Sequence, residues 1–248
     1  MKEFQFDHGR QQYSLQQTCR PLSLNETLDF ACAGCGSCCR GRKDILLSGY
    51  DLWRICVRLN LPAAAVVRGY CRKTVGTQSL LPVLRIRPVA EERYNCPFLV
   101  HSRCSIHEAA PLACALYPLA QQIDTDTGEV CYFLQSAACG DRTVQNRCEE
   151  YLQANGVLAR EPVDVAWATQ CTRLSLRVQQ LAPLLPAAQL KFLQQRMFQE
   201  LYLSPEREQP YLPQFTAAVQ RVDAYLDLVQ ARAQQRGTVQ TQQKEVAE

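Results

Sequence analysis

The sequence has only three histidines and a small net charge, and each shortage excludes a class of function. Because His8, His101 and His107 are the whole supply, a histidine-rich mononuclear iron site is a poor interpretation. The formal net charge of +3 over 248 residues gives no electrostatic footprint for nucleic acid or for an acidic membrane surface. We therefore expect no nucleic-acid partner.

Several targeting and catalytic patterns are also missing. No stretch approaches about 18 uninterrupted apolar residues, which argues against a transmembrane helix. The first residues, MKEFQFDHGRQQYSLQQ, lack the apolar segment of a signal peptide. P-loop, dinucleotide-binding, serine-hydrolase and zinc-protease motifs are absent. We expect a cytoplasmic protein without a membrane partner, and the sequence leaves open whether it is an enzyme.

Cysteine, in contrast, is abundant, with 14 residues. Where thiols stay reduced, many cysteines favour metal ligation or redox chemistry over a disulfide framework. The run CAGCGSCC holds four of them, Cys32, Cys35, Cys38 and Cys39. Two residues between successive thiols is the spacing with which a loop surrounds one metal ion or one face of an iron–sulfur cluster. Gly34, Gly36 and Gly41 permit the tight turns that such a loop needs, whereas a disulfide between Cys38 and Cys39 would be strained.

Hydrophobic patterns predict an α+β protein whose two parts differ in character. Short strands and short helices are predicted up to about residue 142, and three segments with helical periodicity follow. We predict a small metal-stapled, cysteine-rich module over residues 1–142. A helical region over 143–236 is predicted to pack on it or to form an extension, and the Gln-rich residues 237–248 are predicted to be a disordered tail.

Local signals place several elements in the first part. Ser48 opens an S-x-x-D pattern that predicts a capped helix through YDLWRICVRLN. Pro62 predicts the first residue of a second helix, PAAAVVRGYCRK. Strands are predicted in DILLS, in LLPVLRIRP, around a turn in CPFLVHSRCSIHE and in the hairpin LAQQIDTDTGEVCYFLQ. Phe4 and Phe6 indicate an edge strand.

Four runs in order carry a resemblance to a known family: CAGCGSCCRG, DILLSGYDLWR, CPFLVHSRCSIHEAAPLACALYPL and CGD. Over about residues 30–142 the chain resembles the CxxCxxCC (YkgJ-like) cysteine-cluster family, described as zinc- or iron-chelating proteins. The resemblance implies eight metal ligands: Cys32, Cys35, Cys38, Cys39, Cys96, Cys104, Cys114 and Cys139. Pro111, Tyr117 and Pro118 match the family as well.

The chain departs from the family pattern at three positions. His107 stands where the family has a tyrosine, and Ala110 and Ala115 stand where it has arginines. If those arginines balance thiolate charge or hold an anion, the role is lost here or passes to another cation. Arg40, Arg42 and Arg103 are the candidates.

Eight thiols leave the arrangement open among two four-ligand sites, one polynuclear site, and one site with redox-active spares. Sulfur ligands select zinc, Cu(I) or iron–sulfur clusters over magnesium or calcium. We interpret the chain as a protein that chelates zinc or iron, with an iron–sulfur cluster as one form of the iron. Two alternatives stay open, an iron–sulfur-dependent redox or methyl-transfer enzyme and a zinc-stapled module that binds a protein or RNA through its C-terminal helices.

Remaining candidates have simpler interpretations. We expect a packing or hydrogen-bonding role for His107, and a solvated capping role for Asp51. Cys56, Cys71 and Cys171 are predicted to be buried as small apolar side chains. Cys131 and Cys148 are the two that could also approach the site.

Overall fold

The structure, a computed structural model, describes residues 20–42 and 45–245, with side chains up to residue 235. Its strands are β1 (Arg20–Leu22), β2 (Thr27–Ala31), β3 (Leu46–Leu47), β4 (Cys71–Val75), β5 (Pro82–Ile86), β6 (Leu99–Val100), β7 (Arg103–Cys104), β8 (Leu119–Ile123), β9 (Val130–Leu134) and β10 (Asp141–Arg147). Its α-helices are α1 (Gly49–Leu59), α2 (Ala63–Tyr70), α3 (Leu112–Ala115), α4 (Cys148–Ala154), α5 (Val157–Leu181), α6 (Ala187–Phe198) and α7 (Tyr211–Glu245). Short strands followed by long helices confirm the predicted α+β class.

All strand pairs are antiparallel, and each sheet is small. The strand orders are β3-β5-β4 and β1-β9-β8, with two-stranded pairs β10-β2 and β6-β7. Sheets this small need a helix or a second layer to bury an apolar face. The packing of the helices therefore determines the architecture.

Helix α1 begins as its sequence predicts. The backbone N–H of Asp51 donates to Ser48 Oγ at 3.0 Å, and the Ser48 N–H donates to Asp51 Oδ2 at 2.9 Å, which completes a capping box. Leu52, Ile55 and Cys56 are buried on one face. The helix ends at Asn60, whose φ of 53° is left-handed.

Two hydrophobic cores organise the chain. The first core joins the β3-β5-β4 sheet and α1 to the C-terminal helices, through residues that include Leu52, Leu84, Leu174, Met197 and Phe215. The second core joins the β1-β9-β8 sheet to β2, α3 and α4, through residues that include Leu28, Phe30, Leu116, Tyr132 and Leu152. Helix α5 contributes Val157 to the second core and Leu174 to the first. It therefore links the two.

A buried charge network ties α1 to α5. Arg160 and Asp51 are each 2% exposed, and Asp164 is 4% exposed. Arg160 Nη2 donates to Asp51 Oδ1 at 2.7 Å, and its Nε donates to Asp164 Oδ2 at 2.7 Å. Burial lowers the pKa of Arg160, but the charges of Asp51 and Asp164 outweigh burial and raise that pKa overall. The guanidinium therefore stays charged in the interior.

Several elements differ from their prediction, among them β1 and β2, which were not predicted. Residues 71–73 begin β4 instead of extending α2, because the Cys71–Val75 backbone pairs in register with β5. Strand β10 was not predicted, because its residues are mostly exposed and polar. The strand is formed by its hydrogen-bonded pairing with β2.

Some predictions lie at the limits of the described residues. The edge strand at Phe4 and Phe6 lies outside them. Helix α7 runs to Glu245, and residues 246–248 of the predicted tail also lie outside. Strand β10 spans the boundary predicted at 142/143, and the division into parts stays a prediction. None of the helices in the described ranges has the length and apolarity that a membrane crossing requires.

We predict that Arg160→Leu lowers the free energy of unfolding by about 3–5 kcal/mol, because it leaves two buried carboxylates without their cation. The matched control is Arg173→Leu. Arg173 binds Asp223 at 2.6 Å, but its side chain is 41% exposed, so the expected loss is at most about 1 kcal/mol. Urea unfolding followed by circular dichroism measures both losses, and equal losses would contradict the prediction.

Candidate metal centre

The first four thiols of the predicted site lie in a glycine-shaped loop after β2. A 3-10 turn forms over Ser37–Cys39, and Gly34 and Gly36 adopt φ values of 63° and 67°. At Gly36, a Cβ atom would lie 2.7 Å from the Leu99 side chain and 2.7 Å from the backbone oxygen of Ser102. The role predicted for glycine in turning this loop is confirmed at both positions.

Polar contacts hold the loop against the β6-β7 hairpin. Arg40 Nη1 donates to the Cys35 carbonyl at 3.0 Å, and Arg40 Nη2 donates to Ser102 Oγ at 3.0 Å. The Cys96 N–H donates to the Cys39 carbonyl at 2.8 Å. The loop thiols and the hairpin thiols are thereby brought together, although 56 or more residues separate them in sequence.

The hairpin carries Cys96 and Cys104 on the edge of the first core. Cys104 pairs with Leu99 in the β6-β7 ladder. Both thiols are partly buried and pack against the first core. Burial raises the pKa of each thiol.

Cys114 and Cys139 approach from the second core. Cys139 Sγ donates to Tyr117 Oη at 3.8 Å, and the Ala138 N–H donates to the same oxygen at 2.7 Å. Tyr117 is itself held by Tyr151, whose Oη donates to the Tyr117 carbonyl at 2.5 Å. Cys114 keeps exposed surface, yet the protein around its thiol raises its pKa by burial.

Cys38 and Cys39 form the closest thiol pair that the structure places in the loop. Their sulfurs are 4.0 Å apart. The contact lowers the pKa of Cys38 to about 6 and raises that of Cys39. The contact therefore favours the thiolate on Cys38 over the thiolate on Cys39.

Electrostatic coupling shows which thiols are neighbours. Cys38, Cys96 and Cys104 each raise the pKa of Cys39 and of Cys114, although hydrogen bonding to Cys38 is the larger cause for Cys39 and burial the larger cause for Cys114. Hydrogen bonding to Ser37 is the main cause that lowers the pKa of Cys35, and the contact with Cys39 is the main cause for Cys38; Cys139 lowers both further. After burial, the charges of Cys32 and Cys38 raise the pKa of Tyr151. Seven of the eight thiols therefore act on one another's pKa, and Cys32 acts on Tyr151, as Cys38 does.

The thiols are neighbours without forming a finished coordination sphere. Among residues 20–42 and 45–245, no three His, Cys, Asp or Glu side chains are already arranged to hold one metal ion. Ligation by the eight cysteines stays a prediction.

Arg42 acts electrostatically on two of the eight candidate thiols. It lowers the pKa of Cys38, after the larger effect of the contact with Cys39, and it opposes the burial that raises the pKa of Cys114. Arg40 instead braces the loop backbone, and Arg103 is exposed. Of the three candidate replacements for the family's arginines, Arg42 has the charge-balancing position.

The other cysteines lie apart from this region. Cys56 and Cys71 are buried in the first core, and Cys148 is fully buried in the second, as small apolar side chains. Cys171 is partly buried against the first core, and Cys131 is exposed on β9. His101 and His107 are exposed, while His8 and Cys19 lie outside the described residues.

Two residues have roles that the sequence did not reveal. Asp51 was expected to be a solvated cap; it caps α1 but is buried, because it also binds Arg160 and the N–H of Leu112. Arg54 donates to the backbone carbonyls of Glu108 and Ala110. The S-x-x-D pattern signals the cap alone, and no sequence signal marks the long-range partners.

Comparison with known proteins gives one family. A family model, CxxCxxCC, described as a "putative zinc- or iron-chelating domain", matches residues 31–162. Searches of curated proteins and of solved structures give no match. The match covers all eight predicted ligands and ends within α5.

We predict that Gly36→Ala destabilises the protein more than Gly34→Ala. Both glycines have similar positive φ, so each substitution pays a similar backbone cost of about 1–2 kcal/mol. Only at Gly36 does the new Cβ meet the hairpin backbone; at Gly34 nothing lies within 4 Å. Thermal unfolding of the two variants measures the difference, and an equal loss would show that the loop does not need this close approach.

Proposed function

This chain belongs to the CxxCxxCC family, and from that premise we propose that it is a metal-binding protein whose thiolate cluster chelates zinc or iron. The observation that carries the proposal is the convergence of thiols from four separate segments, the 32–39 loop, the 96–104 hairpin, α3 and residue 139. Proteins rarely gather so many thiols without a metal or a disulfide to hold, and the 13 cysteines of the described residues are free thiols.

The donor set fits a soft metal. All eight proposed ligands are sulfur, which favours zinc, Cu(I) or iron–sulfur chemistry over hard cations. The 4.0 Å separation of the Cys38 and Cys39 sulfurs is close to the sulfur–sulfur distance of about 3.8 Å in a tetrahedral site with 2.3 Å zinc–sulfur bonds. This pair could bind one metal ion or two adjacent ones.

The neighbour relations support a division of the ligands into two sets of four. Cys39, Cys96, Cys104 and Cys114 form one set, and Cys32, Cys35, Cys38 and Cys139 form the other. In this arrangement the adjacent Cys38 and Cys39 serve different sets. All eight thiols are ligands in this arrangement, whereas a single tetrahedral site would bind only four of them.

Charge balance is consistent with the proposal. A tetrathiolate zinc site carries a formal charge of −2, so cations and N–H donors are expected beside it. Arg42 acts on Cys38 and Cys114, and Arg40 lies against the loop backbone. A bound metal would stabilise the thiolate forms and join segments that the apolar cores hold only at their edges.

We propose a division of roles along the chain. Residues 1–142 supply the ligands, residues 143–236 form the helical region that supports them, and residues 237–248 form a tail. The free thiols suit a reducing compartment, so we place the protein in the cytoplasm. Partners other than the metal are proposed only for the C-terminal helices, as a protein contact.

Anaerobic purification followed by metal and acid-labile sulfide analysis tests the proposal. We expect zinc or iron in the purified chain. Iron with equimolar sulfide would support an iron–sulfur cluster and with it a redox role, whereas two equivalents of zinc without sulfide would support two tetrathiolate sites. A chain that binds no metal after anaerobic preparation would overturn the proposal.

We predict that Cys35→Ser lowers the metal content and the stability together, because ligand binding and folding are coupled in thiolate sites. The control is Cys131→Ser, since Cys131 is also an exposed thiol but lies on β9, away from the other thiols. Metal analysis and urea unfolding of both variants give the result. Unchanged metal content in Cys35→Ser would exclude Cys35 as a ligand.

A further inference from the structure

Helix α1 contacts the segment around Cys114 through two side chains one turn apart. Asp51 Oδ1 accepts from the backbone N–H of Leu112 at 3.0 Å. Arg54 donates to the Ala110 carbonyl at 3.4 Å and to the Glu108 carbonyl. Three backbone groups between residues 108 and 112 are thereby fixed to one helix.

The capping of α1 does not require these contacts. The Asp51 side chain contributes to the cap through Oδ2 alone, which accepts from the Ser48 N–H at 2.9 Å and from Ser48 Oγ at 3.0 Å. The other oxygen, Oδ1, is shared between Leu112 and Arg160. Oδ1 of this buried carboxylate therefore contacts a segment 61 residues away in sequence.

Helix α3 cannot hold itself in place. It has four residues, Leu112–Ala115, and its N-cap, Pro111, provides no side-chain hydrogen bond. A single helical turn is unfavourable in isolation, because it fixes several dihedral angles for about one hydrogen bond. The Asp51 carboxylate satisfies the first N–H of this turn, and Cys114 follows two residues later.

We propose that Asp51 and Arg54 are positioning residues of the metal site, which hold the 108–112 backbone and thereby fix the position of Cys114. The proposal rests on the metal-binding function proposed above. A ligand on a frayed turn would lose conformational entropy when it binds metal, and pre-organisation removes that loss. The residues act on the metal through Cys114 and do not ligate it.

The anchor itself is rigid. Arg160 Nη2 donates to Asp51 Oδ1, and both residues are 2% exposed. The guanidinium groups of Arg54 and Arg160 lie 5.9 Å and 5.2 Å from the centre of the Tyr50 ring. Cation–π attraction thus favours the orientation in which both arginines make their contacts.

Arg54→Met is the first test, because Arg54 is only partly buried and its loss should leave the fold intact. Its control is Arg58→Met, one turn further along α1. Arg58 contacts the same segment only through the exposed Glu108 carboxylate, at 3.7 Å. We expect Arg54→Met to weaken zinc binding by the metal-free protein by about 10- to 100-fold, as loss of an outer-shell partner does. Arg58→Met should bind like the wild type, and Arg54→Lys should recover part of the loss.

A double-mutant cycle separates positioning from a general effect on the fold. If Arg54 acts through Cys114, Arg54→Met should weaken zinc binding much less in a Cys114→Ser background than in the wild type. Cobalt(II) supplies a spectroscopic readout, since sulfur-to-cobalt charge-transfer absorption grows with the number of bound thiolates. Arg54→Met should lose intensity, as Cys114→Ser does. Competition with a chromophoric zinc chelator gives the affinities.

Two results would overturn the proposal. One is an unchanged zinc affinity with full charge-transfer intensity in Arg54→Met; the other is an equal loss of affinity in both backgrounds. Asp51→Asn gives a second measurement where circular dichroism shows that it folds, and the same loss of intensity is expected. A wild-type chain that binds neither zinc nor cobalt(II) would refute the metal-binding function itself, whereas binding that is insensitive to Arg54 would refute the positioning role alone.

Discussion

The carboxylate of Asp51 is the group on which the arrangement of the site depends. It accepts hydrogen bonds from the start of its own helix, from Arg160 on α5 and from Leu112 on α3. Removal of one member of a buried charge network is costly, because it leaves another charge in the interior without its counter-charge. Three helices from distant parts of the chain are therefore held in a single arrangement, with a candidate ligand at the end of one of them.

Structural features that depend on a few adjacent residues could be predicted from the sequence. The cap at Ser48, the hairpin between Leu119 and Leu134, and the glycine turns of the thiol loop all depend on local backbone chemistry, and the structure has each of them. Strand β10 could not be predicted in this way. Its exposed polar residues lack an apolar alternation, and the strand depends on hydrogen bonds to β2, more than 100 residues earlier.

The same distinction applies to the candidate site. The spacing of the cysteines and the family resemblance predicted which thiols to consider, and in the structure seven of those eight act on one another's pKa. The partners Asp51 and Arg54 escaped prediction because they bind backbone N–H and C=O groups, which every residue possesses. In the sequence, Arg42 was a candidate for balancing thiolate charge only because it lies near the thiols. The fold was needed to distinguish its role from those of Arg40 and Arg103.

The family match ends inside helix α5, which contributes to both hydrophobic cores. The match ends at residue 162, between Arg160 and Asp164 of one buried network and well before Leu174 of the first core. A fragment cut there would keep the cation, lose one of its two carboxylates and expose the sheet that the C-terminal helices cover. The border of sequence similarity is thus not a border of cooperative folding. A graft of the thiolate region into another protein would have to carry α5 and the helices packed beside it.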